Sequence, residues 1–316
     1  MRTWIIGAVV LGIFFSPLIF TAENIEIEQR LEKQWLFRVG GWCLVPWKTK
    51  YCIAEILKFE KDSVLVKILD SSLPLHKWPK KYFPTEKIHP YLHEKCTSLE
   101  DLINSLKENQ TLLTTNIEEA FKTIDRAWFC KEHSYLDAAI DIGCATCISA
   151  PHMHIWALEL SKHLFANAKS ILDVGTGTGY MADIYAHLSP QAKVIGIDWF
   201  DTLIIHAKRL RSRHLPKELS ERIDFVCGDG EKGYLPGAPY DIIHVGFMCE
   251  KIPQDLIDQL RPGGRLIIPI GNGTSFYDNR LNSGKLYVVH KKKNGTVQSY
   301  EAFSCSFIHS KSNSIK

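Results

Sequence analysis

The sequence lacks a substantial excess of charge of either sign. Its 38 Lys and Arg residues against 35 Asp and Glu residues give a formal net charge of +3 over 316 residues. Binding to a nucleic-acid backbone by counterion release requires a local concentration of positive charge. We therefore expect no nucleic-acid partner.

Cysteine is too sparse for a disulfide scaffold, with nine residues in a chain of this length. Cys144 and Cys147 have the Cys-x-x-Cys spacing that is typical of redox and zinc sites. Neither a second pair nor regularly spaced histidines accompany them. We interpret the spacing as incidental and predict no metal site, with His152 and His154 assigned to the start of a helix.

Long apolar runs are rare outside the amino terminus. Between Trp4 and Phe20 the only polar side chain is that of Ser16, a length near the lower limit for spanning a bilayer. Residues 1–22 are predicted to form either a cleaved signal peptide or a membrane anchor through residues 4–20, and either one directs the chain to the secretory pathway. The competing interpretation is an incorrectly assigned start upstream of a cytoplasmic protein.

A small β module is predicted over residues 37–90. Residues 42–47, 51–57 and 64–69 are rich in β-branched and aromatic side chains and are separated by polar turns. The pattern resembles SH3-like barrels and Tudor domains, although Asp70-Ser-Ser stands where Tudor domains carry Asp-Tyr-Gly. The module either holds a methylated residue in an aromatic cage or uses the same side chains to fill its core. The candidate cage residues are Trp42, Trp47, Tyr51 and Trp78.

A larger domain is predicted over residues 98–316. Leu99, Leu102, Ile103 and Leu106 follow the spacing of one helical face, and a second helix is expected over 117–124. Beyond residue 170, strand-like and helix-like segments alternate. This alternation is typical of an α/β fold with a doubly wound, Rossmann-like sheet.

A glycine-rich turn follows the first strand of this region. The strand ends in Asp173, and Gly175, Gly177 and Gly179 then form the turn into a helix that begins near Tyr180. Glycines let a backbone turn sharply and approach a ligand that side chains would exclude. The third glycine comes one residue too early for a dinucleotide fingerprint. The pattern is that of class I S-adenosylmethionine-dependent methyltransferases.

Two further strands also end in an acidic residue. Asp198 ends the strand at 194–198 and lies where a carboxylate reaches ribose hydroxyls, and Asp229 follows the strand that begins at Phe225. Each acid alone fits a loop cap. The three acids at this spacing favour a nucleoside site, with Asp229 near the adenine edge.

Most of residues 98–316 resembles the protein-L-isoaspartate (D-aspartate) O-methyltransferase family. The matching stretches include Ile148-Ser-Ala-Pro-His-Met-His154, Ala157-Leu-Glu-Leu160 and the segment from Pro253 to Leu266. The run Ile-Ser-Ala-Pro-His-Met is specific to this family rather than to methyltransferases in general.

The resemblance implies a monomeric enzyme that transfers methyl from S-adenosyl-L-methionine to the α-carboxyl of isoaspartyl residues in damaged peptides and proteins. This carboxylate is already ionised at neutral pH, so no general base is required. The resemblance makes Ser149 the active-site residue, which hydrogen-bonds the substrate carboxylate, and it makes residues 142–145 a cover over the cofactor. The expected cofactor-binding set is Ile142, Gly143, Cys144, Ala145, Ser149, Asp173, Val174, Gly175, Gly177, Gly179, Asp198, Trp199, Asp229 and Gly230.

The chain departs from the family in three places. Phe247, Met248, Cys249 and Glu250 replace a run of small residues, Cys147 replaces a threonine, and residues 306–308 replace a closing Val-Pro-Leu. Bulk and negative charge after a central strand are expected to narrow the peptide site. Two alternatives therefore stay open: a non-enzymatic adaptor that binds the cofactor, and a methyltransferase for another carboxylate.

Overall fold

A computed structural model describes residues 42–47, 50–59, 63–68, 79–84, 89–90, 96–108, 111–112, 114–130, 132–271 and 282–308. Within these ranges no helix is both long and apolar enough to cross a membrane. The predicted leader over residues 1–22 lies outside the described residues and stays a prediction.

The amino-terminal strands form an antiparallel sheet. Its members are β1 (Trp42–Trp47), β2 (Lys50–Phe59), β3 (Ser63–Ile68), β4 (Lys80–Pro84) and β5 (His89–Pro90), in the order β4-β3-β2-β1-β5. Strands β1 to β3 coincide with the three segments that composition predicts. The candidate cage side chains lie outside the described part of the chain, so a Tudor-like module with a methylated ligand stays a prediction.

Two helices precede the main sheet, α1 (Leu99–Glu108) and α2 (Thr115–Thr123). Leu102, Ile103 and Leu106 of α1 are buried, as their spacing predicts. A two-stranded hairpin, β6 (Ile140–Gly143) and β7 (Thr146–Ile148), then leads into α3 (Pro151–Ser161).

The main sheet has seven strands in the order β10-β9-β8-β11-β12-β13-β14. The strands β8 (Ser170–Val174), β9 (Lys193–Asp198), β10 (Ile223–Cys227), β11 (Tyr240–Val245) and β12 (Leu260–Ile270) are parallel. The strand β13 (Asn282–Lys291) runs antiparallel to β12, and β14 (Val297–Phe307) runs antiparallel to β13. The predicted α/β fold with a Rossmann-like sheet is confirmed, as a mixed sheet.

Both faces of this sheet are covered. Successive residues of a strand alternate between two apolar clusters: Ile171 and Ile242 belong to one, and Leu172 and Ile243 to the other. The first cluster includes side chains of α1 to α3, of α4 (Tyr180–Leu188) and α5 (Asp201–His214), and of the short α6 (Lys217–Ser220). The second includes Leu256 of α7 (Gln254–Asp258). Helices on both faces leave the carboxyl edge of the parallel strands open for a site.

A β-bulge interrupts the outermost pair of strands. Phe303 pairs with Leu286 and Glu301 pairs with Tyr287, so Ala302 is the extra residue between them. The carbonyl of Ala302 accepts a hydrogen bond from the ammonium of Lys67 in β3. The bulge therefore joins the amino-terminal sheet to the outermost strand of the main sheet.

Candidate functional site

The site is expected where the strand order of the main sheet reverses. From β8 the chain proceeds to β9 and β10 on one side, and then crosses to β11 on the other side of β8. Ligands of open α/β sheets bind in the crevice outside the carboxyl ends of the strands at such a reversal. The amide of Gly246, after β11, donates to the carbonyl of Val174 at a distance of 2.8 Å, so the two strand ends adjoin.

The turn after β8 depends on its glycines. Gly175, Gly177 and Gly179 have φ angles of 72°, 57° and 95°, a region that side chains disfavour. A Cβ atom on Gly175 would lie 2.6 Å from the ring of Phe247, and one on Gly177 would lie 3.0 Å from Ile142. The side chains of Phe247 and Ile142 therefore lie against the turn from two sides. The helix α4 begins directly after the turn, and the backbone N–H groups of a first helical turn are available to bind a ligand.

Asp173 at the end of β8 organises this turn from inside. One carboxylate oxygen accepts from the Thr176 hydroxyl at 2.6 Å, and the other lies 2.7 Å from Nδ1 of His244. The Asp173 side chain is 1 % exposed. The structure thus gives both oxygens of Asp173 to protein partners, and the predicted contact with the cofactor stays a prediction.

Asp198 links the end of β9 to the glycine turn. Its carboxylate accepts from the amide of Gly177 at 2.9 Å and from the amide of Phe200 at 3.1 Å. Burial raises the pKa of Asp198 above its ordinary value, although these backbone hydrogen bonds oppose the shift. A carboxylate has about four lone-pair sites, so Asp198 retains the capacity to accept from ribose hydroxyls.

The β10 turn completes this side of the crevice. Asp229 accepts from the amide of Glu231 at 3.1 Å, and a Cβ atom on Gly230 would lie 2.5 Å from Val174. Trp199, which follows Asp198, keeps 40 % of its surface exposed. The structure therefore brings Asp198, Trp199, Asp229 and Gly230 to the same edge as the glycine turn, as the sequence predicts.

The β6–β7 hairpin lies over the glycine turn through the contact between Ile142 and Gly177. At its tip, Cys144 Sγ is 3.3 Å from the hydroxyl of Thr202 at the start of α5. Cys144 and Ala145 have φ angles of 56° and 52°, which are uncommon for residues with a side chain. Ile142 of this hairpin thus lies beside the glycine turn, and the predicted cover of residues 142–145 over the cofactor stays a prediction.

Ser149 connects this hairpin to α3. Its side chain is half-buried, and its hydroxyl makes no hydrogen bond with any described part of the chain. Asp137 fixes the helix start beside it by accepting from the backbone amide of His152 at 2.9 Å and approaching the His152 ring at 2.7 Å. Asp137 is a supporting residue that sequence reasoning did not assign, because its partner lies 15 positions away.

A buried polar cluster lies behind the hairpin, around the Tyr180 ring. The Arg126 guanidinium is 5.8 Å and the His154 ring 5.3 Å from the centre of this ring. Burial lowers the pKa of both Arg126 and His154, for His154 well below its ordinary value, so His154 is neutral. Neutral His154 therefore does not act as a fixed positive charge at the site.

The thiol of Cys147, also behind the hairpin, is mostly buried, and burial raises its pKa to about 11. A thiol with a raised pKa is unreactive. The incidental interpretation of the Cys144–Cys147 spacing is thus favoured. Within the described ranges, no three His, Cys, Asp or Glu residues are grouped closely enough to hold a metal ion.

The bulky residues after β11 turn mostly into the protein. Met248 and Cys249 are buried, Glu250 is exposed, and the half-buried Phe247 faces the glycine turn. The Met248 amide donates to Ile308 at 2.8 Å, so the end of the described chain contacts this loop. The Phe247 ring points toward the turns after β8 and β10, and the expected narrowing of the peptide site stays a prediction.

Comparisons with known proteins agree with this geometry. Residues 97–314 match the family model described as protein-L-isoaspartate(D-aspartate) O-methyltransferase. The chain is similar to protein-L-isoaspartate O-methyltransferase of Triticum aestivum, with 36% identity over 203 residues (62% of this chain and 84% of that protein). It is also similar to protein-L-isoaspartate O-methyltransferase 1 of Arabidopsis thaliana, with 35% identity over 66% of this chain and 88% of that protein.

Among solved structures, the chain is similar to an isoaspartate O-methyltransferase from Plasmodium falciparum in complex with S-adenosyl-L-homocysteine. The TM-score is 0.61 at 26% identity, and the alignment covers 69% of this chain and 100% of that chain.

Proposed function

Because the chain belongs to the protein-L-isoaspartate(D-aspartate) O-methyltransferase family, we propose that it transfers a methyl group from S-adenosyl-L-methionine to the α-carboxyl group of isoaspartyl residues. The observation that carries this proposal is the contact between Ile142 and Gly177. It places the hairpin that leads into Ser149 directly on the turn that would seat the methyl donor.

The residues present fit S-adenosyl-L-methionine. The glycine turn offers a backbone surface without side chains at the start of α4, Asp198 ends β9, and Asp229 lies in the turn after β10. Gly175, Gly177 and Asp198 would hold the cofactor, with Trp199, Asp229 and Gly230 along its nucleoside half. When bound, the cofactor supplies a methyl group on a sulfonium, which is strongly electrophilic.

The protein's own contribution is placement and exclusion of water. The Ser149 hydroxyl would donate a hydrogen bond to the substrate carboxylate and orient it, since this hydroxyl has no partner within the described residues. Asp137 fixes the start of α3, which follows Ser149, through its hydrogen bond from His152. The hairpin covers the glycine turn, so closure around both ligands would remove water.

No base is required at this site. An α-carboxyl group has a pKa of about 3.3–3.7 in model peptides, so the nucleophile is already ionised near neutrality. The neutral state of His154 agrees with a reaction that uses no proton transfer. The neighbouring backbone amide nitrogen would then attack the methyl ester and expel methanol, which closes a succinimide. Hydrolysis of the succinimide can give normal aspartate, which is a repair of the damaged residue.

The test is methyl transfer from labelled S-adenosyl-L-methionine to an isoaspartyl peptide and to its aspartyl counterpart. We expect transfer to the isoaspartyl peptide alone, with a loss of more than about 10-fold in Ser149→Ala, the scale of one hydrogen bond to a charged group. Cofactor binding without transfer to either peptide would favour the adaptor. Transfer to another carboxylate alone would favour a different substrate class.

Other features remain predictions beside this proposal. Four of them depend on the sequence reasoning above: the membrane anchor through residues 4–20, the secretory or cytoplasmic location, the monomeric state, and a methylated ligand of the amino-terminal sheet. Detergent extraction, subcellular fractionation and sedimentation of the full chain would test the first three, in that order.

A further inference from the structure

Phe247 occupies an unusual position for a large side chain. Its ring would be 2.6 Å from a Cβ atom on Gly175 and 3.4 Å from one on Gly230. The ring therefore lies between the turn after β8 and the turn after β10. In this crevice, that is the side on which Asp198 ends β9 and Asp229 follows β10.

The backbone that carries this ring is held on two sides. The amide of Met248 donates to the carbonyl of Ile308 at 2.8 Å, and the amide of Cys249 donates to the carbonyl of Pro269 at 3.0 Å. The carbonyl of Cys249 accepts from the amide of Gly271 at 3.0 Å. Met248 and Cys249 are also both buried. These contacts hold the loop in place, so the Phe247 ring keeps its position beside the crevice.

A second aromatic residue lies at the same edge. Trp199 directly follows Asp198 and is 40 % exposed. The thiol of Cys227 at the end of β10 donates to the Trp199 carbonyl at 3.3 Å, which holds this backbone beside the β10 turn. Two carboxylates and two aromatic residues thus lie at the same edge of the sheet, a combination suited to a flat heteroaromatic group with polar edges.

We propose that Phe247 is a cofactor-binding residue of the nucleoside site, where its ring forms the apolar wall against which the purine of the cofactor packs. This inference rests on the proposed function, because it requires the crevice to hold a nucleoside. The expectation that bulk and negative charge after β11 narrow the peptide site stays a separate prediction. If a small side chain stood at position 247, other residues would have to form the apolar wall beside the purine.

Binding calorimetry on the full chain tests the wall with two probes. S-adenosyl-L-homocysteine contains both halves of the cofactor, whereas 5′-methylthioadenosine contains the nucleoside without the amino acid. Because stacking of a base on an aromatic ring stabilises binding, we expect removal of the ring to lower the affinity by about 10-fold or more. We expect Phe247→Ala to weaken both probes by a similar factor, Phe247→Leu to weaken them less, and Phe247→Tyr to restore affinity.

Met248→Ala provides the matched control, because Met248 is the neighbouring residue but its side chain is completely buried. This variant should lower thermal stability without changing the affinity of folded protein for either probe. Unchanged affinity in both Phe247→Ala and Phe247→Leu would overturn the inference. A loss confined to S-adenosyl-L-homocysteine would also overturn it, since the ring would then contact the amino-acid half. If the unaltered chain bound neither probe, the proposed function itself would fail.

Discussion

The turns that follow β8 and β11 adjoin at the carboxyl edge of the sheet, yet their compositions are opposite. The first contains Gly175, Gly177 and Gly179, and the second contains Phe247, Met248 and Cys249. The glycines remove side chains from the space above β8, and Phe247 extends into that space from the neighbouring strand. A crevice in this fold is therefore shaped jointly by two strand ends, and neither turn can be understood alone.

The largest effect is expected from separating the two strand ends. The pair formed by Asp173 in β8 and His244 in β11 is buried and spans 2.7 Å. Removing one member of a buried hydrogen-bonded pair leaves the other without its partner. Asp173→Ala should lower the free energy of unfolding by about 3–5 kcal/mol, measured by urea denaturation.

Thr176→Val is the matched control for Asp173→Ala, because it removes only the hydroxyl that donates to Asp173 at 2.6 Å. The free energy of unfolding of Thr176→Val should be lower by only about 1 kcal/mol. An Asp173→Ala variant that lost no more than this control would show that β8 and β11 are not coupled through Asp173.

The next effect concerns the contact between the two turns. Gly175 has a φ of 72°, and a Cβ atom there would meet the Phe247 ring at 2.6 Å. Gly175→Ala should weaken S-adenosyl-L-homocysteine binding by about 30-fold, equivalent to about 2 kcal/mol, from backbone strain and overlap together. Calorimetry on the purified variant measures this loss.

Combining Gly175→Ala with Phe247→Ala separates the two causes. Without the ring the overlap disappears, whereas the strain of a positive φ remains. The loss in the double variant should therefore be smaller than the sum of the two single losses. Strictly additive losses would show that the two turns do not compete for the same space.

A smaller effect, dependent on pH, is expected in the helix that the glycine turn initiates. Asp183 in α4 is buried, one of its oxygens has no hydrogen bond within the described chain, and burial raises its pKa well above the ordinary 3.8. The folded chain thus keeps a proton that the unfolded chain releases, and stability is lost as the pH rises above that ordinary value.

Asp183→Asn removes this titration with little change in shape. We expect a gain of about 1–2 kcal/mol in the free energy of unfolding near pH 8 and no gain near pH 4, from urea denaturation at both pH values. Asp224→Asn is the control, since that side chain is 73% exposed. An equal gain at both pH values would indicate a packing effect instead.

The smallest effect is expected at the tip of the hairpin over the glycine turn. Ala145 has a φ of 52°, where glycine is favoured. Ala145→Gly relieves the backbone strain, although glycine also gives the unfolded chain more entropy. The net effect should be a rise of about 0.5–1 kcal/mol in the free energy of unfolding. A thermal melt measures this gain, and a lower melting temperature would contradict the assignment of strain.

Sequence reasoning identified the turn after β8 much better than the turn after β11. The sequence located Asp173, Asp198 and Asp229 at one edge of the sheet, because apolar periodicity reveals parallel strands, whose carboxyl ends share an edge. Their contacts with the cofactor stay predictions. The direction of the Phe247 ring is determined by hydrogen bonds from residues 248 and 249 to residues 308 and 269. Such distant pairing leaves no local pattern in the sequence.

The roles of two supporting residues were not assigned from the sequence for a related reason. Asp137 acts on a helix 15 positions away, and Arg126 contacts Tyr180 across the core. A lone aspartate or arginine in a loop does not indicate its partner. The internal role of Asp173 was also unexpected, because an acid at the end of a strand suggests ligand contact as readily as it suggests a bond to His244.

The bulge at Ala302 has a consequence for handling the protein. An outermost strand offers unpaired backbone groups on which a second molecule can assemble, and sheets that lose their edge protection aggregate. Lys67 blocks the protruding carbonyl of Ala302 in β14. A chain shortened to residues 97–316 would keep the glycine turn but lose the hydrogen bond from Lys67. We therefore expect the shortened chain to precipitate at concentrations at which the full chain stays in solution.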